Sequence, residues 1–316
     1  MQRATLRMGV DLGGTKIEAA IVDAQCDILH RQRCPTPQGD YDATLKAIVA
    51  LISGMEQQHG TGALTVGICT PGSESPATGL LRNANSTCLN GRAFRRDLQH
   101  LLGREIRIAN DADCLGVSEY NGGAAQGIDN VFAVILGTGV GGGVVIHGQP
   151  LRGANGISGE WGHTSLPWPA AGELPGPECW CGQQGCIETW LSGPALQRDF
   201  SAGNTVPVAQ WDAMTLGPLA EQGDPASLAA LERYQQRLAR ALAGIINVLD
   251  PQCIVLGGGL SNIESLYDSV PDLWQQWIFS DVVATQLRKP HFGDSSGVRG
   301  AAALWSLQED ADTASG

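Results

Sequence analysis

The sequence predicts an α/β protein of two similar domains, and three observations carry that prediction. A strand, a glycine turn and a second strand follow one another over residues 6–22 and do so again over residues 131–147. Strand-length apolar runs alternate with segments of helical spacing along most of the chain. The 316 residues, 43% of them hydrophobic, suffice for two cores.

Composition narrows the function. A net charge of −12 argues against nucleic-acid binding, which needs a basic face to neutralise phosphates. If the chain handles phosphates, backbone N–H groups and a metal ion must supply most of the positive potential. No basic-then-apolar leader opens the sequence and no apolar run reaches membrane length, so a soluble, cytoplasmic protein without a membrane partner is expected. Nine cysteines, three grouped and six scattered (26, 34, 69, 88, 114 and 253), fit reduced thiols better than a disulfide framework.

Residues 6–10 are short and apolar, 11–16 turn, and 17–22 alternate toward strand, which reads as a hairpin. Its turn carries Gly13, Gly14 and Thr15. Bare backbone can approach an anion there and a hydroxyl can donate to it; an ordinary hairpin turn accounts for the same residues equally well. Residues 41–60 read as a helix, with Leu45, Ile48, Val49, Ile52 and Met55 at helical spacing and Gly60 as its stop. A strand over 64–69 leads to Thr70, Pro71 and Gly72. Asn83, Asn85, Ser86, Thr87 and Asn90 form a polar loop suited to turns or to a polyhydroxylated ligand, the turn being the simpler account. A helix over 94–102 stops at Gly103, and a strand over 105–109 runs into Asn110, Asp111 and a helix over 112–120. Asp111 is then either the N-cap of that helix or a site residue at the carboxyl end of a strand. Position alone favours the cap.

Residues 131–136 form an apolar strand, followed by Gly-Thr-Gly-Val-Gly-Gly-Gly over 137–143 and a strand over 144–147. Five glycines exceed what a hairpin needs and argue for close approach of a ligand. A Pro/Gly loop covers 167–177. A long helix over 226–248 carries Leu228, Leu231, Leu238, Leu242 and Ile245 on one side. A strand over 253–256 runs into Gly257, Gly258 and Gly259, a third glycine turn, this one between strand and helix, where an anion can meet a helix N-terminus or a purine can lie on bare backbone. The last helix is expected over 297–307, and the acidic residues 308–316 are expected to be a disordered tail.

The stretch 159–188 concentrates the chemistry. It opens with Glu160, Trp161 and His163 and closes with Cys179, Cys181, Cys186 and Glu188. One His and three Cys close a tetrahedral zinc site and leave no open position, so the metal shapes the site without doing chemistry. Glu160 and Glu188 lie beside the two ends of that ligand set.

These residues together resemble the ROK family of sugar kinases. The resemblance rests on Asp11-x-Gly-Gly-Thr-Lys16, Asn110-Asp111-Ala112, the glycine run over 136–143, Gly159-Glu-x-Gly-His163 and Cys179-x-Cys-Gly-x-x-Gly-Cys-x-Glu188, in the family's order over nearly the whole chain. Residues 83–91, and 159–163 leading to Pro167-Trp168, are most similar to the fructokinase (manno(fructo)kinase) branch.

The resemblance implies an actin-like ATPase (ribonuclease-H-like) fold, with ATP and sugar in an interdomain cleft. The domains implied are residues 1–112, completed by a C-terminal helix at about 300–307, and residues 113–299 with the zinc segment at 159–188. Asp111 matches the general base toward the sugar 6-hydroxyl. Asn85, Asn110, Glu160, His163 and Glu188 match sugar ligands, and Asp11 matches the acidic residue near Mg²⁺. Gly13, Gly14, Thr15 and Lys16, with Thr138 and Gly139, match the phosphate loops, and Gly257, Gly258 and Gly259 match the adenosine-side turn. His163, Cys179, Cys181 and Cys186 match the ligands of a structural Zn²⁺, His163 serving sugar with one ring nitrogen and zinc with the other. A homodimer is implied in the same way.

The resulting expectation is an ATP-dependent hexose kinase making fructose 6-phosphate. Alternatives are a glucose, mannose or N-acetylhexosamine kinase of the same family, a sugar-responsive repressor, or a non-catalytic sugar-binding module. Room for an acetamido group would separate the kinases. With about ten residues before Asp11 and an acidic charge, the repressor is disfavoured, and Asp111 with both phosphate loops disfavours the binding module. Cys69, and Cys88 where related sequences often carry Trp, are departures beside the expected pocket.

Overall fold

The computed structural model describes residues 6–202 and 213–307. The chain forms two units. The first holds the residues up to Asp129, Gly143–Ser158 and those from His291 on; the second holds Asn130–Gly142 and Gly159–Pro290.

In the first unit β1 (Arg7–Leu12) pairs antiparallel with β2 (Lys16–Val22), and β2 with β3 (Ile28–Pro35). On its other side β1 runs parallel to β4 (Thr65–Thr70), so β1 is central and almost wholly buried. A small ribbon, β5 (Ser73–Glu74) with β6 (Leu81–Arg82), precedes β7 (Ile106–Asn110), which completes the order β3-β2-β1-β4-β7. Strand β3 has no apolar alternation for the sequence to display. It forms because β2 offers Glu18, a buried carboxylate held by Arg31 and Arg33 across the ladder. Helix α1 (Tyr41–His59) is capped by Asp40, whose side chain accepts the Ala43 N–H at 2.9 Å, and ends at Gly60. It buries Leu45, Ile48, Ile52 and Met55 in the same core as α2 (Phe94–Leu102).

Helix α3 (Asp111–Tyr120) packs on α9 (Ser296–Ala302) and stays in the first unit, so the domain edge suggested at residue 112 falls inside a helix and the unit continues to Asp129. Glu119 joins them. Its fully buried carboxylate accepts the N–H groups of Ala124, His291 and Phe292. Helix α9 is shorter than the 297–307 expected. The chain leaves it in tight turns after Ala302 so that Trp305 can tuck its indole N–H onto the Val66 carbonyl at 2.9 Å. The tail 308–316 lies outside the described residues.

The second sheet has the order β10-β9-β8-β11-β12, the same sequence of edge, hairpin and centre as the first. Its strands are β8 (Asn130–Leu136), β9 (Val140–Ile146), β10 (Gln149–Pro150), β11 (Cys253–Gly257) and β12 (Gln286–Arg288), with β11 parallel to both β8 and β12. Strand β9 begins at Val140, so three of the five glycines after β8 are strand residues. Gly142 is there for packing: a side chain on it would meet Trp161 and Phe132, whose rings lie edge to face. Helices α4 (Glu188–Leu191), α5 (Gly193–Ala202), α6 (Ala213–Glu221), α7 (Pro225–Leu249) and α8 (Ser265–Trp274) belong to this unit. Helix α7 is capped by Asp224 and buries Leu231, Leu238, Leu242 and Ile246, while Leu228 faces solvent. Arg237 and Arg240 of α7 hold Glu173 and thereby anchor the Pro/Gly loop. No helix among the described residues is long and apolar enough to cross a membrane.

Candidate functional site

In the first unit three adjacent parallel strands deliver acidic and polar groups to their carboxyl ends. Asp11 lies opposite Cys69 across β1 and β4, and Thr70 lies opposite Asn110 across β4 and β7. Such ends are where ligands of open α/β sheets bind. Asn110, not Asp111, caps α3: its side-chain oxygen accepts the Asp113 N–H at 2.7 Å. The cap reading of Asp111 is therefore overturned, because the residue before it does that work. Asp111 starts the helix with an exposed carboxylate whose Oδ1 accepts the Ala112 N–H at 2.9 Å. Desolvation by the surrounding protein raises its pKa above the usual carboxylate range, against a lowering from the N–H groups of Ala112 and Asp111 itself. Burial likewise pushes Asp11 up to about 6, opposed by a hydrogen bond from Cys69 and assisted by the charges of Glu18 and Asp111.

The first glycine turn is held from one side. The carbonyls of Gly13, Gly14 and Thr15 accept from Thr36 Oγ1 at 2.7 Å, Gln38 Nε2 at 3.0 Å and the Thr36 N–H at 3.0 Å. Those three bonds fix the peptide planes of the turn, and Lys16 follows as the exposed first residue of β2. A cavity of about 460 Å³ opens beside it, walled by Gly14, Thr15, Thr36, Gln38, Asn85 and Cys88. The loop carrying Asn85 is pinned by Asn90, whose amide bonds the Ala84 N–H and carbonyl, each at 2.9 Å.

In the second unit Glu188 reaches back to the glycine turn after β8. Its Oε2 accepts the Val140 N–H at 3.0 Å, and a side chain on Gly139 would lie 2.7 Å from the same oxygen. Glycine at 139 is what lets the carboxylate in. Its Oε1 accepts the indole N–H of Trp180 at 2.7 Å. Thr138 sits at the tip of that turn, whose ends are joined by the Gly137 N–H on the Gly139 carbonyl at 3.0 Å. Gly257 ends β11; Gly258 and Gly259 lead into a 3-10 turn, Gly259–Asn262, so α8 starts only at Ser265 and is not entered directly from the glycines. Glu160 immediately precedes the 3-10 turn Trp161–His163.

The four predicted metal ligands converge. One ligand atom each from His163, Cys179, Cys181 and Cys186 lies within 4.8 Å of the others. The Cys179 sulfur is 3.5 Å from His163 Nδ1, and the sulfurs of Cys181 and Cys186 are 3.6 Å apart. A tetrahedral ion with Zn–S near 2.3 Å and Zn–N near 2.0–2.1 Å sets ligand atoms about 3.6–3.8 Å apart, so the set fits zinc. Burial raises the Cys179 thiol and pushes Cys186 up to about 12, while the Gln183 N–H leads the lowering of Cys181. A dication is what would make all three thiolates affordable together.

Each unit thus gathers its own predicted residues: Asp11, Asn110 and Asp111 at one set of strand ends, Asn85 beside the first turn, and His163, the cysteines, Glu188 and Gly139 in one cluster. Val140 and Trp180 were missed. A backbone N–H gives no sequence signal. Trp180 did give one, as an aromatic in the one-residue gap between two expected metal ligands.

Residues 7–308 match the ROK family. The chain is 36% identical over 302 residues to the N-acetyl-D-glucosamine kinase of Pectobacterium atrosepticum, spanning 94% of this chain and 97% of that one. It is 39% identical over 300 residues to the N-acetylgalactosamine kinase of a Shewanella species, spanning 94% and 95%. Among solved structures it is similar to the ROK hexokinase of Thermus thermophilus, with a TM-score of 0.83 and 31% identity over 96% and 98% of the two chains. These relatives support the N-acetylhexosamine alternative and not the fructokinase branch. Of the residues that suggested fructose, 85–89 supply only part of the cavity wall, shared with Gly14, Thr15, Thr36 and Gln38, so that loop alone does not report the volume.

Proposed function

This chain belongs to the ROK family, and we propose that this sugar kinase transfers the γ-phosphoryl group of ATP to the 6-hydroxyl of an N-acetylhexosamine. The observation that carries the sugar class is the 36% and 39% identity, over 94% of the chain, to kinases named for N-acetylglucosamine and N-acetylgalactosamine. The cavity of about 460 Å³ beside Asn85 and Cys88 supports it, since an acetamido arm needs room that a bare hydroxyl does not.

Asp111 is the general base. Its carboxylate takes the proton of the 6-hydroxyl as that oxygen forms its bond to phosphorus, and the bond from phosphorus to the bridging oxygen breaks with its electron pair going to ADP. A raised pKa suits this role, because a more basic carboxylate accepts the proton more readily. Asp11 would hold Mg²⁺, which supplies charge stabilisation to the transferring group when bound. The turn of Gly13, Gly14, Thr15 and Lys16, with Thr138 and Gly139, would hold the phosphates, and Gly257, Gly258 and Gly259 would lie against the adenosine.

Asn85, Asn110, Glu160, His163 and Glu188 bind sugar hydroxyls, carboxylates accepting and amides doing both. His163 Nδ1 faces the Cys179 sulfur; a structural Zn²⁺ held by His163, Cys179, Cys181 and Cys186 would fix the tautomer and leave Nε2 for the sugar. Mass and NMR analysis of the product formed from ATP and N-acetylglucosamine tests the reaction. A phosphate ester at carbon 6 is expected, and an ester at carbon 1, or ATP hydrolysis without ester, would overturn it.

A further inference from the structure

We propose that Trp180 is a positioning residue for the sugar subsite, acting through Glu188; the proposal rests on the kinase reading above. Trp180 is 67% exposed, yet it is held at three points. Its backbone lies between Cys179 and Cys181, two members of the metal set. Its ring stands edge-on to His163, with centroids 4.8 Å apart and planes at 87°. Its indole N–H donates to Glu188 Oε1 at 2.7 Å.

Glu188 needs such a partner. Its other oxygen accepts the Val140 N–H at 3.0 Å, so the carboxylate is gripped at both ends, by the metal loop through Trp180 and by the glycine turn through Val140. An indole N–H can only donate, and it donates to one lone pair of Oε1. The remaining lone pairs are thereby aimed in fixed directions for sugar hydroxyls, without the rotamer entropy that a free glutamate would lose on binding. The same bond ties the orientation of Glu188 to the metal loop that carries His163's partners.

The test uses the full-length, zinc-loaded protein and steady-state kinetics with N-acetylglucosamine and ATP, comparing wild type with Trp180→Phe, which keeps a ring and loses the donor. The KM for the sugar is expected to rise about tenfold, as for loss of one hydrogen bond to a charged group, with kcat and the KM for ATP within about twofold. Trp180→His, which keeps a ring N–H, is expected to show a smaller rise. Bound zinc, measured on each variant, is expected to stay at the wild-type level. An unchanged sugar KM in Trp180→Phe, equal rises in the two variants, or a rise that comes with loss of zinc in both would each overturn the inference while leaving the kinase reading intact. A wild type that releases no ADP with any N-acetylhexosamine would defeat that reading and this inference with it.

Discussion

Asn110 accepts the backbone N–H of Asp113 at 2.7 Å and so closes the first turn of α3. This relationship leaves the next residue, Asp111, with a carboxylate that the helix does not need, at the carboxyl end of a parallel strand. An acidic group is thereby held by a rigid element, as the proposed general base requires.

Asp111→Asn is the direct consequence. The variant keeps the shape and the acceptor of the Ala112 N–H but cannot take a proton at neutral pH. We expect kcat to fall about 10²–10⁴-fold, with sugar binding by calorimetry within about threefold of wild type. Full turnover in Asp111→Asn would remove the general base from the account.

Asp11 makes a pH-dependent prediction. Its folded pKa of about 6 lies above its unfolded value of about 3.9, so the native state binds more protons between those limits. Stability therefore falls as pH rises through that window, by up to about 3 kcal/mol above it. In Mg²⁺-free protein Asp11→Asn should raise the Tm at pH 8 and leave it nearly unchanged at pH 4, while activity is lost. Equal Tm values at pH 8 would show that the carboxylate is not strained by burial.

The metal set predicts that zinc and stability go together. Cys181→Ser removes one of four ligands from a site of His163, Cys179, Cys181 and Cys186. Metal content should drop to nearly none and the Tm should fall by about 5–10 °C, as expected for a few kcal/mol in a domain of this size. Retained zinc in elemental analysis of the purified variant would contradict the ligand assignment.

Glu173 predicts acid sensitivity of the second unit. Burial alone would raise its pKa, but hydrogen bonds from Arg240, Arg237 and the Ala170 N–H outweigh it and hold the group down at about 2. A depressed carboxylate contributes stability above its unfolded pKa of about 4.3 and loses it as pH falls toward 2. Glu173→Gln should cost about 3–5 kcal/mol at pH 7, because the nearly buried Arg240 loses its carboxylate partner and Arg237 is left with Asp199 alone. Denaturant melts at pH 7 and pH 3 read this out, and the gap between variant and wild type should narrow at the lower pH.

Much of this was legible in the sequence for physical reasons. The central strands are apolar because both faces are buried, and α1 shows its buried face as Leu45, Ile48, Ile52 and Met55. The convergence of His163, Cys179, Cys181 and Cys186 was legible because thiols and imidazole at short spacing have few other uses. Strand β3 was not, since its pairing rests on Arg31 and Arg33 meeting a glutamate on another strand. The role of Asn110 was hidden because Asn and Asp cap helices about equally well, and only geometry says which of two neighbours does it. The three glycines inside β9 resembled a ligand turn until Trp161 was found against Gly142. The sugar class escaped because pocket volume is set by residues as far apart as Gly14, Thr36 and Cys88.

The central claim is tested most directly by kcat/KM for N-acetylglucosamine against fructose, measured by ADP release with saturating Mg-ATP and zinc-loaded protein. The account predicts a preference of at least about 100-fold for the N-acetylated sugar, a floor below the roughly 10⁴–10⁵-fold by which a site built to hydrogen-bond a substrate group rejects a substrate lacking it. Equal values, or a preference for fructose, would contradict it.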